Sequence, residues 1–236
     1  MPPGVEAVLF DYGRTLVTFE YPKARLLEVM ERFRPAISRA TGMPAPQAEK
    51  IMEDVLLPLE AVIESPGEDE VSYFDVYSGA WSRAGIELPG ELLYEILDAE
   101  QQVWDDVAQV DPEAPRLLGW LRQRGIKRAV CSNAPFPPEM MLRQVEKNGI
   151  AALMDAVVFS SRLGRRKPAP ELYVAVLRRL GVRPEQALFV GDQVAEDYEG
   201  PRRLGMRAVL CTALAKAPPP DDVPSIASLA ELDRWL

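Results

Sequence analysis

The chain has 236 residues, of which 47% are apolar, 8% aromatic and 27% charged. This composition is typical of a globular protein and excludes collagen, a low-complexity tail and a small disulfide-stabilised scaffold. The net charge of −9 argues against nucleic acid or an anionic membrane as the main partner, because both attract a basic surface. No apolar run approaches the roughly 20 residues of a membrane helix, so we expect a cytoplasmic protein.

The chain contains no histidine, which excludes the imidazole base of most serine and cysteine hydrolases. Zinc sites mostly need histidine or clustered cysteines, and the two cysteines, Cys131 and Cys211, lie far apart in apolar runs. We expect both to be buried free thiols in a reducing compartment. Catalysis would therefore use carboxylates, Lys, Tyr, Ser or Thr, and a hard cation such as Mg²⁺ on carboxylate oxygens stays open.

The first predicted element is a buried strand, an apolar run over 5–10 that ends at Asp11. Between 21 and 107 the apolar residues recur at helical spacing instead, and no strand pattern is found there. Gly42 ends the first of these helices, and Pro58 is expected to kink the second. The next predicted elements are a loop at 65–70, a helix at 71–83 and a helix around 92–97.

After residue 111 the predicted elements alternate between helix and strand, which indicates a parallel sheet covered by helices. The fold class is therefore α/β, a Rossmann-like parallel sheet with helices on both faces and an inserted all-α domain. We place the core at 1–18 and 109–236 and the insertion at 19–108. The strands are predicted at 126–132, 156–160, 187–190 and 207–211, and the helices at 113–124, 138–147, 170–180, 195–204 and 226–236.

In open parallel sheets, ligands bind beyond the carboxyl ends of the strands. Lys167 lies in the loop after the 156–160 strand, where a lysine taken alone is more typical of a solvated loop. An Asp or Ser-Asn at a strand end is, taken alone, more typical of a turn or a helix cap than of a functional site. Gly191-Asp192 followed by Asp197 is more specific, because the glycine allows a sharp turn and two carboxylates then flank a helix start. The residues at these strand ends are Asp11, Ser132, Asn133, Ser160, Ser161, Asp192 and Thr212.

The chain resembles the haloacid dehalogenase-like hydrolase superfamily in four segments that occur in the family's order. They are LFDYGRTL around Asp11, AVCSN around Ser132, GRRKPAPELY around Lys167 and FVGDQVAEDYEG around Asp192. The insertion at 19–108 is similar to the family only in its position and helical character. This placement implies the subgroup that carries a helical cap after the first motif.

The resemblance implies a role for each matched residue. Asp11 would be the nucleophile that forms an aspartyl-phosphate. Ser132 and Asn133 would bind the substrate, and Lys167 would neutralise charge on the transferring phosphoryl group of a small phosphorylated metabolite. The implied residues of a Mg²⁺ site are Asp11, Gly13 through its carbonyl, Asp192 and Asp197.

The sequence departs from the family at Gly13, where phosphatases carry a second Asp that protonates the leaving oxygen and later activates water. Loss of a general acid costs roughly 10²–10⁴-fold in rate, and least when the leaving group needs no proton. We therefore expect a slow or selective phosphatase that favours sugar 1-phosphates, acyl phosphates or aryl phosphates. Glu20, Tyr12 or a carboxylate of the insertion is a possible replacement acid, and Arg14 a possible ligand of a substrate anion.

Two other functions stay open. A 2-haloacid dehalogenase would use the same nucleophile without a metal, although such enzymes usually carry Tyr at the Gly13 position, and Asp192 and Asp197 favour a metal site. A catalytically weakened module that binds a phosphorylated ligand would explain Gly13, but it would not explain why the other motif residues are intact. Turnover that depends on Mg²⁺ separates a phosphatase from both.

Two further groups of residues have two interpretations each. The basic cluster next to the third motif is either a solvated loop or a local attraction for a phosphorylated substrate. The aromatic residues of the insertion either pack within it or line a pocket. The basic cluster is Arg162, Arg165, Arg166 and Lys167, and the aromatic group is Tyr73, Tyr77, Trp81 and Trp104.

Overall fold

The computed structural model describes residues 4–63 and 67–236, and in these ranges six parallel strands form one sheet. The strands in chain order are β1 (Ala7–Phe10), β2 (Val17–Phe19), β3 (Ala108–Val110), β4 (Lys127–Ser132), β5 (Ala156–Phe159), β6 (Ala187–Gly191), β7 (Arg207–Cys211) and β8 (Ser225–Ile226). The sheet order is β5-β4-β1-β6-β7-β8, while β2 and β3 pair antiparallel as a separate ribbon. The first strand of the chain therefore lies inside the sheet, between β4 and β6.

The helices fall into two groups along the chain, and the first group occupies the insertion. That group is α1 (Lys23–Thr41), α2 (Ala48–Ile51), α3 (Leu57–Ile63), α4 (Tyr73–Arg83) and α5 (Gly90–Val107). The second group is α6 (Ala114–Gln123), α7 (Pro138–Lys147), α8 (Pro170–Leu180) and α9 (Gly200–Arg203). The predicted α/β class, with a parallel sheet and an inserted helical segment, is confirmed.

Both faces of the sheet are covered by apolar clusters, as the buried strands predict. Val8 and Phe10 of β1 contribute to one cluster, whereas Ala7 and Leu9 contribute to the other, because successive side chains of a strand point to opposite faces. A third cluster is built from helices α1 to α5 and also includes Met140 of α7. The division into 1–18 with 109–236 and 19–108 stays a prediction, and its boundaries fall inside the β2–β3 ribbon.

Glycine and proline shape the helices of the insertion in two ways. Gly42 ends α1 in the left-handed conformation with φ 69°, as predicted. The irregularity expected at Pro58 begins earlier, as a π-helical turn over Met52–Leu56 that joins α2 to α3. Pro58 has no N–H to donate to the carbonyl of residue 54, so the regular helical ladder is interrupted there.

Two predicted helices of the core are present in the structure but irregular. Of the helix predicted over 226–236, Leu229–Trp235 forms a 3₁₀ helix, whereas Ile226 pairs with Cys211 at the sheet edge. Ser228 starts that helix late because its hydroxyl accepts the N–H of Ala230 at 3.2 Å. The helix predicted over 195–204 is present as a π-helical turn at Val194–Glu199 that continues into α9, because Pro201 cannot donate to the carbonyl of residue 197.

Other expectations concern the cysteines, the loop at 65–70 and the membrane. Cys131 and Cys211 are free and buried, as predicted. Residues 65 and 66 of that loop lie outside the described residues, as do residues 1–3 of the predicted core. Within the described ranges, no helix has the length and apolar character that crossing a bilayer requires.

A buried hydrogen bond joins two helices of the insertion. Tyr77 of α4 donates its hydroxyl to Oε1 of Glu100 in α5 at 2.5 Å, and both side chains are buried. Burial raises the pKa of Glu100 to about 8, although the hydrogen bond from Tyr77 opposes this shift. The folded protein therefore keeps a proton on Glu100 over a pH range in which the unfolded chain has released it.

We predict that Glu100→Gln flattens the pH dependence of stability. Because the pKa of Glu100 is higher in the folded state, the wild-type free energy of unfolding falls as pH rises from about 5 to 8, by up to about 1.4 kcal/mol per pH unit. Glutamine keeps an accepting oxygen for Tyr77 but cannot ionise. Urea unfolding across this pH range measures the slope, with exposed Glu95→Gln of the same helix as control. Equal slopes for wild type and Glu100→Gln would contradict the prediction.

Candidate active site

Asp11 stands directly after β1, near the middle of the sheet edge. Its N–H donates to the carbonyl of Val190 in β6 at 2.8 Å, which holds the backbone of the two strand ends together. The strand order also brings Ser132, the last residue of β4, next to this end of β1. The structure thus places together three strand ends that the sequence analysis selected.

Lys167 joins two of the acidic residues. Its Nζ donates to Oδ1 of Asp11 at 2.8 Å and to Oδ1 of Asp197 at 2.7 Å, and the residue is only 1% exposed. Burial by itself lowers the pKa of Lys167, but the negative charges of Asp11 and Asp197 outweigh it and hold the pKa well above its usual value. Lys167 is therefore a fixed cation beside the carboxylate of Asp11.

Asn133 fixes the loop that carries the lysine. Its Oδ1 accepts the N–H of Lys167 at 2.8 Å, and its Nδ2 donates to the carbonyl of Lys167 at 3.1 Å. The same Nδ2 lies 3.0 Å from Oε2 of Glu196. The side chain of Asn133 thus positions Lys167 and Glu196, and its predicted contact with substrate stays a prediction.

Asp197 is held by the backbone as well as by the lysine. Its Oδ2 accepts the N–H groups of Asp192 and Gln193, each at 2.9 Å. Burial raises the pKa of Asp197, and the charge of Lys167 opposes the shift. Gly191 allows this close approach, because a Cβ at that position would lie 2.2 Å from Cγ of Asp197.

Asp192 pairs with a cation of the first motif. Its Oδ2 accepts Nε of Arg14 at 2.9 Å and Nε2 of Gln193 at 2.6 Å, whereas its Oδ1 is buried and has no hydrogen-bond partner. Arg14 adopts φ 59°, a left-handed backbone conformation that is uncommon for a residue with a side chain. The proposed contact between Arg14 and a substrate anion stays a prediction.

The acidic residues fit a divalent cation. One oxygen from each of Asp11, Asp192 and Asp197 lies within 4.8 Å of the others. The unpartnered Oδ1 of Asp192 is costly to bury unless a ligand satisfies it. Clustered carboxylate oxygens are the donors that Mg²⁺ prefers in proteins.

Two adjoining cavities open at this rim of the sheet. The larger, of about 690 Å³, is the polar cavity, and Asp11, Arg14, Arg166, Asp192 and Glu196 contribute its charged groups together with Lys216. The smaller, of about 350 Å³, has no charged side chain among its lining residues, and we call it the apolar chamber. Both cavities are lined by Gly13, Phe19, Ile63, Ser132 and Asn133.

Of the other residues selected from the sequence, some line a cavity and others pack inside the insertion. Trp104 lines the apolar chamber, whereas Tyr77 and Trp81 are fully buried within the insertion. Arg165 contacts Glu68, Asp69 and Glu171, so acidic neighbours neutralise this part of the basic cluster.

Glu196 is a residue of the site that the sequence analysis did not select. It lines the polar cavity, and burial raises the pKa of its carboxyl group. Its position inside the fourth motif, next to Asp197, was the available signal. The π-helical turn over Val194–Glu199 determines which of its acidic side chains point into the site. The sequence predicts a helix here but not its π-helical geometry.

We predict that Gly191→Ala disrupts the site by displacing Asp197. The added Cβ would overlap the Asp197 side chain, which has to move away from its two backbone donors and from Lys167. Overpacking of this kind costs about 1–3 kcal/mol of the free energy of unfolding, measured by urea denaturation. Gly13→Ala is the matched control, because a Cβ there meets no atom within 4 Å. Equal stability of the two variants would argue against the close approach.

Comparison with known proteins gives one family and several named relatives. A family model described as a haloacid dehalogenase-like hydrolase matches residues 5–205. The glyceraldehyde 3-phosphate phosphatase of Methanopyrus kandleri is 28% identical over 208 residues, which are 87% of this chain and 83% of that protein. The phosphoglycolate phosphatase of Rhodospirillum rubrum is 45% identical over 85 residues, which are 36% of this chain and 34% of that protein.

Solved structures show the same fold. A HAD phosphatase from Thermococcus onnurineus has a TM-score of 0.66 at 23% identity and covers 98% of this chain and 97% of its own. The 2-haloacid dehalogenase of Pseudomonas syringae pv. Tomato DC3000 has a TM-score of 0.67 at 22% identity, over 98% of this chain and all of its own. At 22–23% sequence identity these two structures show that the fold is shared and show nothing about the activity. The family match over most of the chain shows that this protein belongs to the haloacid dehalogenase-like hydrolases and is a hydrolase.

Proposed function

We propose that the protein is a phosphatase of a small phosphorylated metabolite, dependent on a divalent cation and acting through an aspartyl-phosphate on Asp11. The observation that carries this proposal is the buried Lys167 between Asp11 and Asp197, beside the three clustered carboxylates. Phosphoryl transfer depends mainly on positioning and charge compensation, which a fixed ammonium group supplies. Relatives named as phosphatases match the chain at 28% and 45% identity.

The geometry suggests how each residue acts. Lys167 holds Oδ1 of Asp11, so Oδ2 is the oxygen that attacks phosphorus. A P–O bond forms to Asp11 as the ester P–O bond breaks, and the leaving group departs with the electron pair. Ser132 donates its hydroxyl to a phosphoryl oxygen. Water then attacks the phosphorus of the aspartyl-phosphate, which releases inorganic phosphate and restores Asp11.

A divalent cation such as Mg²⁺ would be held by Asp11, Asp192 and the Gly13 carbonyl, with Asp197 supporting that set. When bound, it would neutralise charge on the phosphoryl oxygens. The chain itself holds Asp192 in place through Arg14, whose Nε contacts Oδ2 and not the unpartnered Oδ1.

The structure lends no support to the replacement acids considered from the sequence. Burial raises the pKa of Tyr12, which makes its hydroxyl a weaker acid, and Asn148 donates a hydrogen bond to that hydroxyl. Glu20 is exposed and lines neither cavity. Among the described residues of the insertion, no carboxylate lines either cavity. Glu196 lines the polar cavity, but its Oε2 accepts Nδ2 of Asn133 at 3.0 Å. Because Gly13 cannot donate a proton, we expect the proposed enzyme to prefer leaving groups that depart without one.

We predict Asp11-dependent release of phosphate from p-nitrophenyl phosphate and acetyl phosphate in the presence of Mg²⁺. Asp11→Asn should lower kcat on the order of 10³-fold or more, and a chelator should abolish turnover. Exposed Asp54→Asn is the matched control and should keep wild-type activity. Chloride release from a 2-haloacid without added metal would identify a dehalogenase instead. Mg²⁺ binding without turnover of any phosphate ester would support a binding module.

The absence of a second Asp also predicts which of the two chemical steps, formation or hydrolysis of the aspartyl-phosphate, limits turnover. Gly13 cannot activate water, so hydrolysis of the aspartyl-phosphate should be slower than its formation from an aryl phosphate. Rapid mixing of excess p-nitrophenyl phosphate with the enzyme should show a burst of p-nitrophenol close to one equivalent per site. A linear trace without a burst would show that the first step limits turnover. Gly13→Asp should shrink the burst by accelerating the second step.

A further inference from the structure

We propose that the substrate carries an uncharged, largely apolar leaving group of aromatic type, and that the apolar chamber binds it. This inference rests on the proposed phosphatase activity and names the class of ester on which it acts. A volume of about 350 Å³ is within the range of cavities that hold small organic ligands.

Five of the chamber's lining residues are aromatic, and they come from both parts of the chain. Phe19 and Trp104 form one edge-to-face pair, with their ring centroids 6.3 Å apart. Tyr12 and Phe159 form a second edge-to-face pair at 5.8 Å, and Phe136 completes the wall from the loop after β4. Rings in these orientations present faces and edges on which another aromatic ring packs well.

Among the described residues, no charged side chain lines the chamber. Its polar side chains include the neutral amides of Gln101 and Gln144, which both donate Nε2 to Oδ1 of Asp105, at 2.9 and 3.1 Å. Asp105 does not line the chamber and is itself paired with Nε of Arg143. A carboxylate or second phosphate placed here would lose its hydration without gaining a cation, which is costly.

The two arginines that line the polar cavity, Arg14 and Arg166, both have hydrogen-bond partners within the protein. Arg166 donates Nη1 to the carbonyl of Ile63 at 3.0 Å and lies 3.7 Å from Glu70. Nε of Arg14 contacts Asp192. Neither arginine lines the chamber, so a leaving group directed into it does not meet them.

Gly13 connects the chamber with the reacting group. It lines both cavities, and a Cβ there would meet no atom within 4 Å, so the space beside it is open. An ester bound with its phosphorus at Asp11 can therefore place its organic part past Gly13. A carboxylate side chain at this position would project charge into that passage.

The first test uses wild-type enzyme and phenyl phosphates with methyl, ethyl or propyl groups at the para position. These substituents barely change the pKa of the leaving phenol, so differences report burial rather than chemistry. We expect kcat/KM to rise about fourfold per added methylene until the chamber is full, which corresponds to about 0.8 kcal/mol each. A para-carboxylate should lower kcat/KM at least tenfold relative to phenyl phosphate, although carboxyphenol is no poorer a leaving group.

The second test introduces a cation into the chamber. Phe136→Arg should reverse the preference, so that the para-carboxylate ester becomes a better substrate than phenyl phosphate. The far-UV circular dichroism spectrum and the urea unfolding midpoint of Phe136→Arg, compared with those of the wild type, report correct folding. Met43→Arg, at an exposed position of the insertion, is the matched control and should keep the wild-type preference.

The outcomes separate the inference from the function on which it rests. A flat para-alkyl series, or equal turnover of phenyl and carboxyphenyl phosphate, would overturn the apolar leaving group while Asp11-dependent hydrolysis of acetyl phosphate stands. If neither the phosphate esters nor acetyl phosphate is hydrolysed in an Asp11-dependent way, the phosphatase and the inference both fail. The para-alkyl series uses wild-type enzyme, so it tests the inference even if Phe136→Arg does not fold.

Discussion

A buried ammonium group shared by two carboxylates is the interaction on which this site depends. An isolated charge in a protein interior costs several kcal/mol, and Lys167 is nearly inaccessible to water. The carboxylates of Asp11 and Asp197 both compensate the charge of Lys167. Asp197 in turn accepts two backbone N–H groups, and it can lie this close to the backbone because Gly191 has no Cβ. Loss of either carboxylate would leave part of that charge uncompensated, so the same contacts stabilise the fold and arrange the nucleophile.

The sheet order makes this interaction possible. β1 lies between β4 and β6, so the residues that follow these strands meet at one edge, and the loop after β5 brings the lysine to them. Asn133 secures that loop by pairing with both the N–H and the carbonyl of Lys167. Backbone hydrogen bonds thus hold Asp11, Lys167 and Asp192 in place before any ligand arrives, which is the preorganisation that electrostatic catalysis requires.

The sequence predicts the core of this arrangement because its signals are local. Strand and helix periodicities differ, and Asp11, Lys167, Asp192 and Asp197 follow strands at readable spacings. The β2–β3 ribbon was missed because three residues per strand are too few to show alternation. The sequence leaves a pocket at Trp104 as one of two interpretations, because Trp104, Phe136 and Phe159 become neighbours only through packing of the insertion against the sheet, which no local pattern records.

Gly13 links the chemistry of the site to its shape. Because Gly13 has no side chain, the site lacks the general acid expected at this position. For the same reason the passage between the polar cavity and the apolar chamber is open. Without the acid, esters whose leaving group departs as a stable anion retain the most activity. Without charge in the chamber, apolar rings are bound best. Aryl esters satisfy both conditions, so the electronic and steric consequences of one glycine select the same class of phosphate ester.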